Sequence, residues 1–175
     1  AKRMLEVHSR AIRQQYGLKY ITAVPNNIYG PNDNFDLQNG HVVPAMIRKI
    51  HEASENKKDL RFWGSGRPLR EFTYSEDIAK ALLLLLENYD EPTPVNIGTN
   101  EEVSIFNLAQ EIITLFDYDG YAVWDTSMPE GQHQKPSCGH RFSELFPDFS
   151  YTSLEDGLRT TVDWFKENYP NVRGV

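Results

Sequence analysis

The sequence predicts an α/β fold with at least part of a parallel sheet. Short runs of β-forming residues alternate along the chain with amphipathic patterns of roughly 10 to 15 residues, the signature of strand–helix–strand units. Gly, Pro, Asn and Ser punctuate the junctions. Over 175 residues, 39% hydrophobic and 25% charged is an ordinary globular mixture, which sets aside disordered, collagen-like and low-complexity readings.

Each element follows from its residues. Met4, Leu5, His8, Ala11, Ile12 and Tyr16 step by three or four, with Arg3, Glu6, Arg10 and Arg13 opposite, so a first amphipathic helix runs to Gly17. Tyr20 to Val24 reads as a strand ended by Pro25, which cannot donate to a ladder. Asn26 to Gly40 is turn-rich and reads as a loop. Val43, Met46, Ile47, Ile50 and Ala53 form the next helical stripe, with Asn39 as its cap, Pro44 tolerated in the first turn and His41 at the entrance. Leu60 to Trp63 is a strand broken by Gly64 and Gly66, and Arg70 to Thr73 is extended.

Ser75 is the expected cap of a helix from Ile78 to Glu87, whose run Ala81 to Leu86 reads as buried. Val95 to Ile97 is a buried strand closed by Gly98. Ser104 caps a helix with Ile105, Leu108, Ala109, Ile112 and Phe116 inward, and Tyr121 to Asp125 follows as a strand. After a polar loop from Thr126 to Cys138, Ser153 and Asp156 form a capping pair for a last helix, Leu154 to Asn168, ahead of Pro170. Leu82 to Leu86, Phe106, Phe116 and Trp164 are the core candidates.

Eighteen Lys and Arg against 25 Asp and Glu give a net charge of −7, which demotes nucleic acid and anionic membranes as partners. The longest apolar run falls far short of the roughly 20 residues that span a bilayer, and no signal-peptide pattern follows Lys2 and Arg3. A single cysteine, Cys138, fits a reducing compartment, and a cytoplasmic location is expected. His8, His51, His133 and His140 lack metal-ligand spacing, so no metal site is expected.

Several segments carry a resemblance. They are Lys2 at a helix start, the string PNNIYGPNDNF from Pro25 to Phe35, Gly40 to Pro44, the segment from Trp63 to Phe72, Asn96-Ile97-Gly98, and Pro129 to Gly131 with Lys135. Together they resemble the GDP-L-fucose synthase family, which consists of extended short-chain dehydrogenase/reductases. The Trp63 to Phe72 and Asn96 to Gly98 segments select only the wider group of sugar-nucleotide enzymes. The stretch from Asn32 to His41, with its histidine well downstream of the lysine, points to the epimerase-reductase branch.

The resemblance implies the C-terminal part of an extended Rossmann fold with its smaller substrate-binding domain. Late Rossmann elements would occupy 1–40 and 71–99, and the nucleotide-sugar domain 41–70 and 100–175. The glycine-rich phosphate turn and the tyrosine of the Tyr-x-x-x-Lys pattern would lie upstream of Ala1, so the residues given would not turn over alone. A piece separated from its other half would also expose apolar surface. The implied activity is NADPH-dependent 3,5-epimerisation and 4-reduction of GDP-4-keto-6-deoxy-D-mannose to GDP-L-fucose. The implied assembly is a homodimer formed through the first helix.

The same resemblance implies residue roles. Lys2 would bond the nicotinamide ribose and favour the tyrosinate. His41 would act as the acid in both epimerisations, for which imidazole, with a pKa of about 6.5, suits proton exchange near neutrality. Lys2, Pro25, Asn26, Asn27, Ile28 and His41 would meet NADP(H). Lys49, Trp63, Arg70, Glu130 and Lys135 would surround the GDP-sugar, with Val42 and Met46 lining the pocket. Taken singly, Lys2, Lys49 and Lys135 read as solvated surface charges, His41 as a capping histidine, Trp63 as a core aromatic and Pro25 to Ile28 as a plain turn. Asn26 stands where the family usually has threonine, Lys49 where arginine is common, and Glu130 replaces the usual aspartate. These departures keep open a related enzyme acting on another nucleotide sugar, such as a GDP-6-deoxy-heptose. A non-catalytic nucleotide-sugar-binding module is the alternative of a different class.

Overall fold

Three small hydrogen-bonded sets of strands organise the chain in a computed structural model that describes residues 2–128 and 130–175. Ala1, and Pro129 within the resembling segments, lie outside the described residues. Strand β1 (Ala23–Pro25) pairs parallel with β5 (Val95–Ile97), and β3 (Leu60–Trp63) parallel with β7 (Ala122–Asp125). Strand β4 (Leu69–Tyr74) has two partners. Leu69, Arg70 and Glu71 run antiparallel to β6 (Glu102–Ser104), while Phe72, Thr73 and Tyr74 run parallel to β2 (Asn27–Tyr29).

The helices are α1 (Lys2–Tyr16), α2 (Val42–Asn56), α3 (Ser75–Asn88), α4 (Ile105–Leu115), α5 (His140–Leu145) and α6 (Leu154–Asn168). Helix α3 lies on β1, β2 and β4, while α4 packs between α2 and α6. The larger core gathers Phe35, Ile47, Ile50, Leu108, Ile112 and Phe165. Full burial of each such side chain stabilises the fold by roughly 1.5–3 kcal/mol. A smaller core under α3 joins Ile78, Ala81, Leu85, Val95, Ile97 and Phe142. Among the described residues, no helix is long and apolar enough to cross a membrane.

Local signals carry through where the chemistry is local. Ser104 Oγ accepts from the Asn107 backbone N–H at 3.0 Å. Ser153 Oγ accepts from Asp156 N–H at 3.1 Å and donates to the Asp156 carboxylate at 2.6 Å. Two caps differ from expectation. The residue before α2 is His41, without a side-chain cap bond, because Asn39 donates its backbone and side-chain N–H groups to Asp36. Ser75 is the first residue of α3 rather than its cap, and the helix starts early because Glu76 and Asp77 favour its first turn. Asn27 to Tyr29, expected as loop, is a strand because the edge of β4 supplies its partners. The short α5 and β6 fall in segments that carry no periodic signal of their own.

Burial also corrects expectation. Met4, Leu5 and Tyr16 of α1 are exposed, and the buried residue of that helix is Glu6, flanked by Arg3 at 3.2 Å and by Arg10. In α3 only the stripe Ile78, Ala81, Leu85 faces the core. Leu82, Leu83 and Leu86 wrap onto the outer faces, and Leu86 is 72% exposed. Phe106 is also exposed, lying 5.8 Å from the Trp124 ring, whereas Phe116 is buried and Trp164 stacks on Phe35 at 6.1 Å.

His51 of α2 sits among Phe116, Phe165 and Tyr169, the last at 4.5 Å between ring centroids. Burial holds its pKa below the usual value; Glu55 and Glu52 oppose this and Lys166 adds to it. The unfolded chain therefore binds this proton more readily. Stability conferred by the neutral ring is complete above about pH 6.5 and falls as pH drops through that value toward the lowered native pKa. Denaturant melts at about pH 7.5 and about pH 5.5 should show a drop that shrinks in His51→Gln; an equal drop in both proteins contradicts this. Gly66 has φ +73°, and a Cβ there would lie 3.0 Å from both Phe106 Cβ and the Trp124 ring. Gly66→Ala should cost at least about 1–2 kcal/mol in the same melts from the left-handed backbone alone.

Candidate active site

Strands β1 and β2 and the loop after them wall a cleft of about 720 Å³. Lys2, Pro25, Asn26, Asn27, Ile28, His41 and Val42 all line it. Pro25 ends β1, and Asn26 N–H extends the pairing with β5 by donating to the Ile97 carbonyl at 3.1 Å. A side chain at Gly98 would collide with the Asn26 amide, so glycine is what lets that amide lie against the strand. Asn26 Nδ2 donates to Glu71 at 3.1 Å, while its Oδ1 is buried without a partner. Asn27 Nδ2 donates to the Glu71 carbonyl at 2.8 Å.

His41 enters this cleft exposed, at the N-terminus of α2, where its carbonyl accepts from Ala45 N–H at 3.0 Å. The loop before it is braced from both sides. The Asp36 carboxylate accepts from the backbone N–H groups of Asn39 and Gln38, which holds it below the usual carboxylate range. Phe35 N–H donates to Arg173 O at 2.8 Å, and Arg48 donates to Phe35 O at 3.3 Å and Gly174 O at 2.6 Å. The histidine is thus carried on a supported loop rather than a free one.

A second cleft, of about 270 Å³, is lined by Val42, Trp63, Gly64, Gly66, Arg70 and Glu130, and shares Asn27, Val42 and Phe72 with the first. The two therefore lie side by side. Trp63, 64% exposed at the end of β3, presents its ring at the surface and is not a core aromatic. Lys49 Nζ lies 5.9 Å from the centroid of that ring and donates to Arg61 O at 3.1 Å; partial burial holds its pKa below the usual lysine value. Arg70 donates to Leu69 O at 2.6 Å and to Gln132 O at 2.7 Å, which leaves the rest of its guanidinium fork free of intramolecular bonds among the described residues. Glu130 accepts from Ser65 N–H, and hydrogen bonds from Ser65 hold its pKa below the usual range. At Gly64, φ is +76°, a left-handed conformation that favours glycine.

Three expected residues stand elsewhere. Lys49 lines neither cleft, because its ammonium is drawn to the Arg61 carbonyl. Met46 is buried in the larger core, because its position on α2 falls on the inward stripe, and it lines neither cleft. Lys135 is exposed on the polar loop and lines neither cleft. One residue was missed. Glu71, inside the resembling Trp63 to Phe72 segment, is buried and bonded to both Asn26 and Ser137. Its signal was a carboxylate flanked by apolar Phe72 and by Arg70 on an extended segment, which periodicity alone does not distinguish from a solvated edge.

A third cleft, of about 520 Å³, is lined by Glu101, Glu102 and Glu111 with Tyr151, and its acidity disfavours an anionic ligand. Burial, reinforced by Glu155, raises the Glu111 pKa. Among the described residues, no three His, Cys, Asp or Glu side chains come together as a metal-ligating group.

The chain is 38% identical over 175 residues to a GDP-L-fucose synthase of Dictyostelium discoideum, covering 99% of this chain and 55% of that protein. It superposes with a TM-score of 0.93 on a GDP-L-fucose synthetase from Naegleria fowleri bound to NADP, at 38% identity, covering 98% of this chain and 56% of that one. A GDP-6-OMe-4-keto-L-xylo-heptose reductase from C. jejuni matches with a TM-score of 0.83 at 26% identity, over 93% of this chain and 58% of that one. The chain spans about half the length of the curated relatives it matches. Residues 1–98, more than half of the sequence, match the model of the NAD dependent epimerase/dehydratase family, and the chain belongs to that family.

Proposed function

We propose that the chain forms the substrate side and part of the cofactor side of a GDP-L-fucose synthase. Such an enzyme converts GDP-4-keto-6-deoxy-D-mannose to GDP-L-fucose by 3,5-epimerisation and NADPH-dependent 4-reduction. The observation that carries this reading is that the two clefts share the wall of Asn27, Val42 and Phe72, with Lys2 and His41 on one and Trp63, Arg70 and Glu130 on the other.

The large cleft suits a nicotinamide cofactor. It is walled by the parallel strands β1 and β2 and takes in the loop that follows β2, the side of an open α/β sheet where such ligands bind, and it has Lys2 at its rim. Lys2, Pro25, Asn26, Asn27, Ile28 and His41 would hold NADP(H), whose chemistry when bound is hydride delivery to the C4 ketone. Lys2 would orient the ribose. His41, free of side-chain hydrogen bonds at its helix terminus, would return protons at C3 and C5.

The smaller cleft suits the nucleotide. The free part of the Arg70 fork would neutralise the diphosphate, with Lys49 beside the Trp63 ring adding charge from outside the lining, and the exposed Trp63 face would take a planar or sugar ring. On a protein of net charge −7, Arg70 in the lining marks this cleft against the acidic one beyond β6. Residues 1–40 and 71–99 would serve the cofactor, and 41–70 and 100–175 the sugar nucleotide. The exposed Met4, Leu5 and Val7 of α1 would meet a second copy in a homodimer. The single cysteine fits a cytoplasmic enzyme.

A second reading, a reductase or epimerase of a GDP-heptose, is favoured by the likeness to the heptose reductase and by Lys49 and Glu130 at substrate positions. Full-length protein supplied with NADPH and GDP-4-keto-6-deoxy-D-mannose should yield GDP-L-fucose, with stereochemistry read by NMR. Turnover of a keto-heptose instead selects the second reading. His41→Asn should slow inversion at C3 and C5 by about 10²–10⁴-fold while GDP affinity stays within about twofold. Undiminished inversion would remove His41 from the chemistry.

A further inference from the structure

Glu71, like Asp77, is a carboxylate buried almost completely. It is 2% exposed, yet among the described residues no Lys, Arg or His pairs with it. A buried carboxylate without a cation persists only where hydrogen-bond donors surround it. Here the donors come from two sides. Asn26 Nδ2 reaches one carboxylate oxygen at 3.1 Å from the turn beneath the large cleft. Ser137 N–H reaches the other at 2.7 Å, and the Ser137 hydroxyl also donates. The backbone carbonyl of Glu71 accepts from Asn27 Nδ2 at 2.8 Å, which doubles the hold on the turn.

Ser137 belongs to the strap that carries Glu130 past the smaller cleft. That strap is fastened along β4 by Leu69 N–H to His133 O at 2.8 Å and by Arg70 to Gln132 O at 2.7 Å, and beyond it by Asn96 to Cys138 O at 3.0 Å. Of these fastenings, the Glu71 carboxylate is the one that also grips the cofactor-side turn.

We propose that Glu71 is a positioning residue whose carboxylate sets the turn at Asn26 and Asn27 and the strap at 130–138 together, so that both clefts keep their binding shape through one buried acceptor. For its effect on catalysis this rests on the function proposed above. A carboxylate only accepts, and all its partners here donate. Glu71→Gln keeps the shape but turns one acceptor into a donor, so an amide N–H must confront either Asn26 Nδ2 or Ser137 N–H, while the Ser137 hydroxyl can turn to accept. Ser137→Ala removes a single donor on the strap side and touches nothing at the turn.

The test is made on full-length protein by hydrogen–deuterium exchange without ligand, and by steady-state kinetics. Glu71→Gln should quicken exchange in both 24–28 and 130–138 and raise KM about tenfold for the GDP-sugar and for NADPH, with kcat changed less than about threefold. Ser137→Ala should quicken exchange at the turn as well as on the strap, by about threefold, and the double variant should be no worse than Glu71→Gln alone. If Glu71→Gln does not fold, Ser137→Ala carries the test by its effect on the turn. Exchange unchanged at 24–28 in Ser137→Ala, or additive effects in the double variant, would overturn the proposal. Loss of turnover in the unsubstituted protein would instead fell the functional reading and leave the exchange result to decide on Glu71.

Discussion

Strand β4 changes partner between Glu71 and Phe72, and the site is arranged about that handover. Up to Glu71 its backbone is committed to antiparallel β6; from Phe72 onward it is committed to parallel β2. A strand shared in this way fixes the distance between what lies at its two ends. Phe72 faces both clefts at the change of partner, and Arg70 and Glu71 stand just before it. The carboxylate of Glu71 fills the place where neither ladder supplies side-chain partners, and donors from the flanking turn and strap converge on it.

The polar chemistry of the site follows from how each group is supported. His41 owes its exposure to a loop pinned by Asp36, Arg48 and the chain's last residues. Arg70 spends part of its fork on the Gln132 carbonyl and keeps the rest available. Glu130 is held by the Ser65 amide at a turn whose left-handed backbone favours glycine at position 64. Most of these contacts join distant parts of the chain, and the backbone groups involved lie in loops, where no ladder supplies a partner.

How far the site was legible can be judged residue by residue. Lys2, His41, Trp63 and Arg70 stand in or at the adjoining clefts, and local motifs are what marked them. Met46 illustrates the limit. Its spacing placed it correctly on the inward stripe of α2, and that same spacing buries it in the core away from the pocket it was expected to line. Glu71 illustrates the converse, since nothing along the sequence distinguishes a carboxylate at a solvated strand edge from one enclosed by donors 66 residues away.

By itself the sequence determined the local elements: the helices of period three to four, the strands from Leu60 and Val95, and the capping serines Ser104 and Ser153. Those features depend on neighbours within a turn or two of chain. Tertiary structure alone decided that Asn27 to Tyr29 is a strand, that only one stripe of the leucine-rich α3 is buried, and that Glu71 is enclosed. The reason is physical: pairing and burial are set by which distant surface arrives, and a short segment holds no record of it.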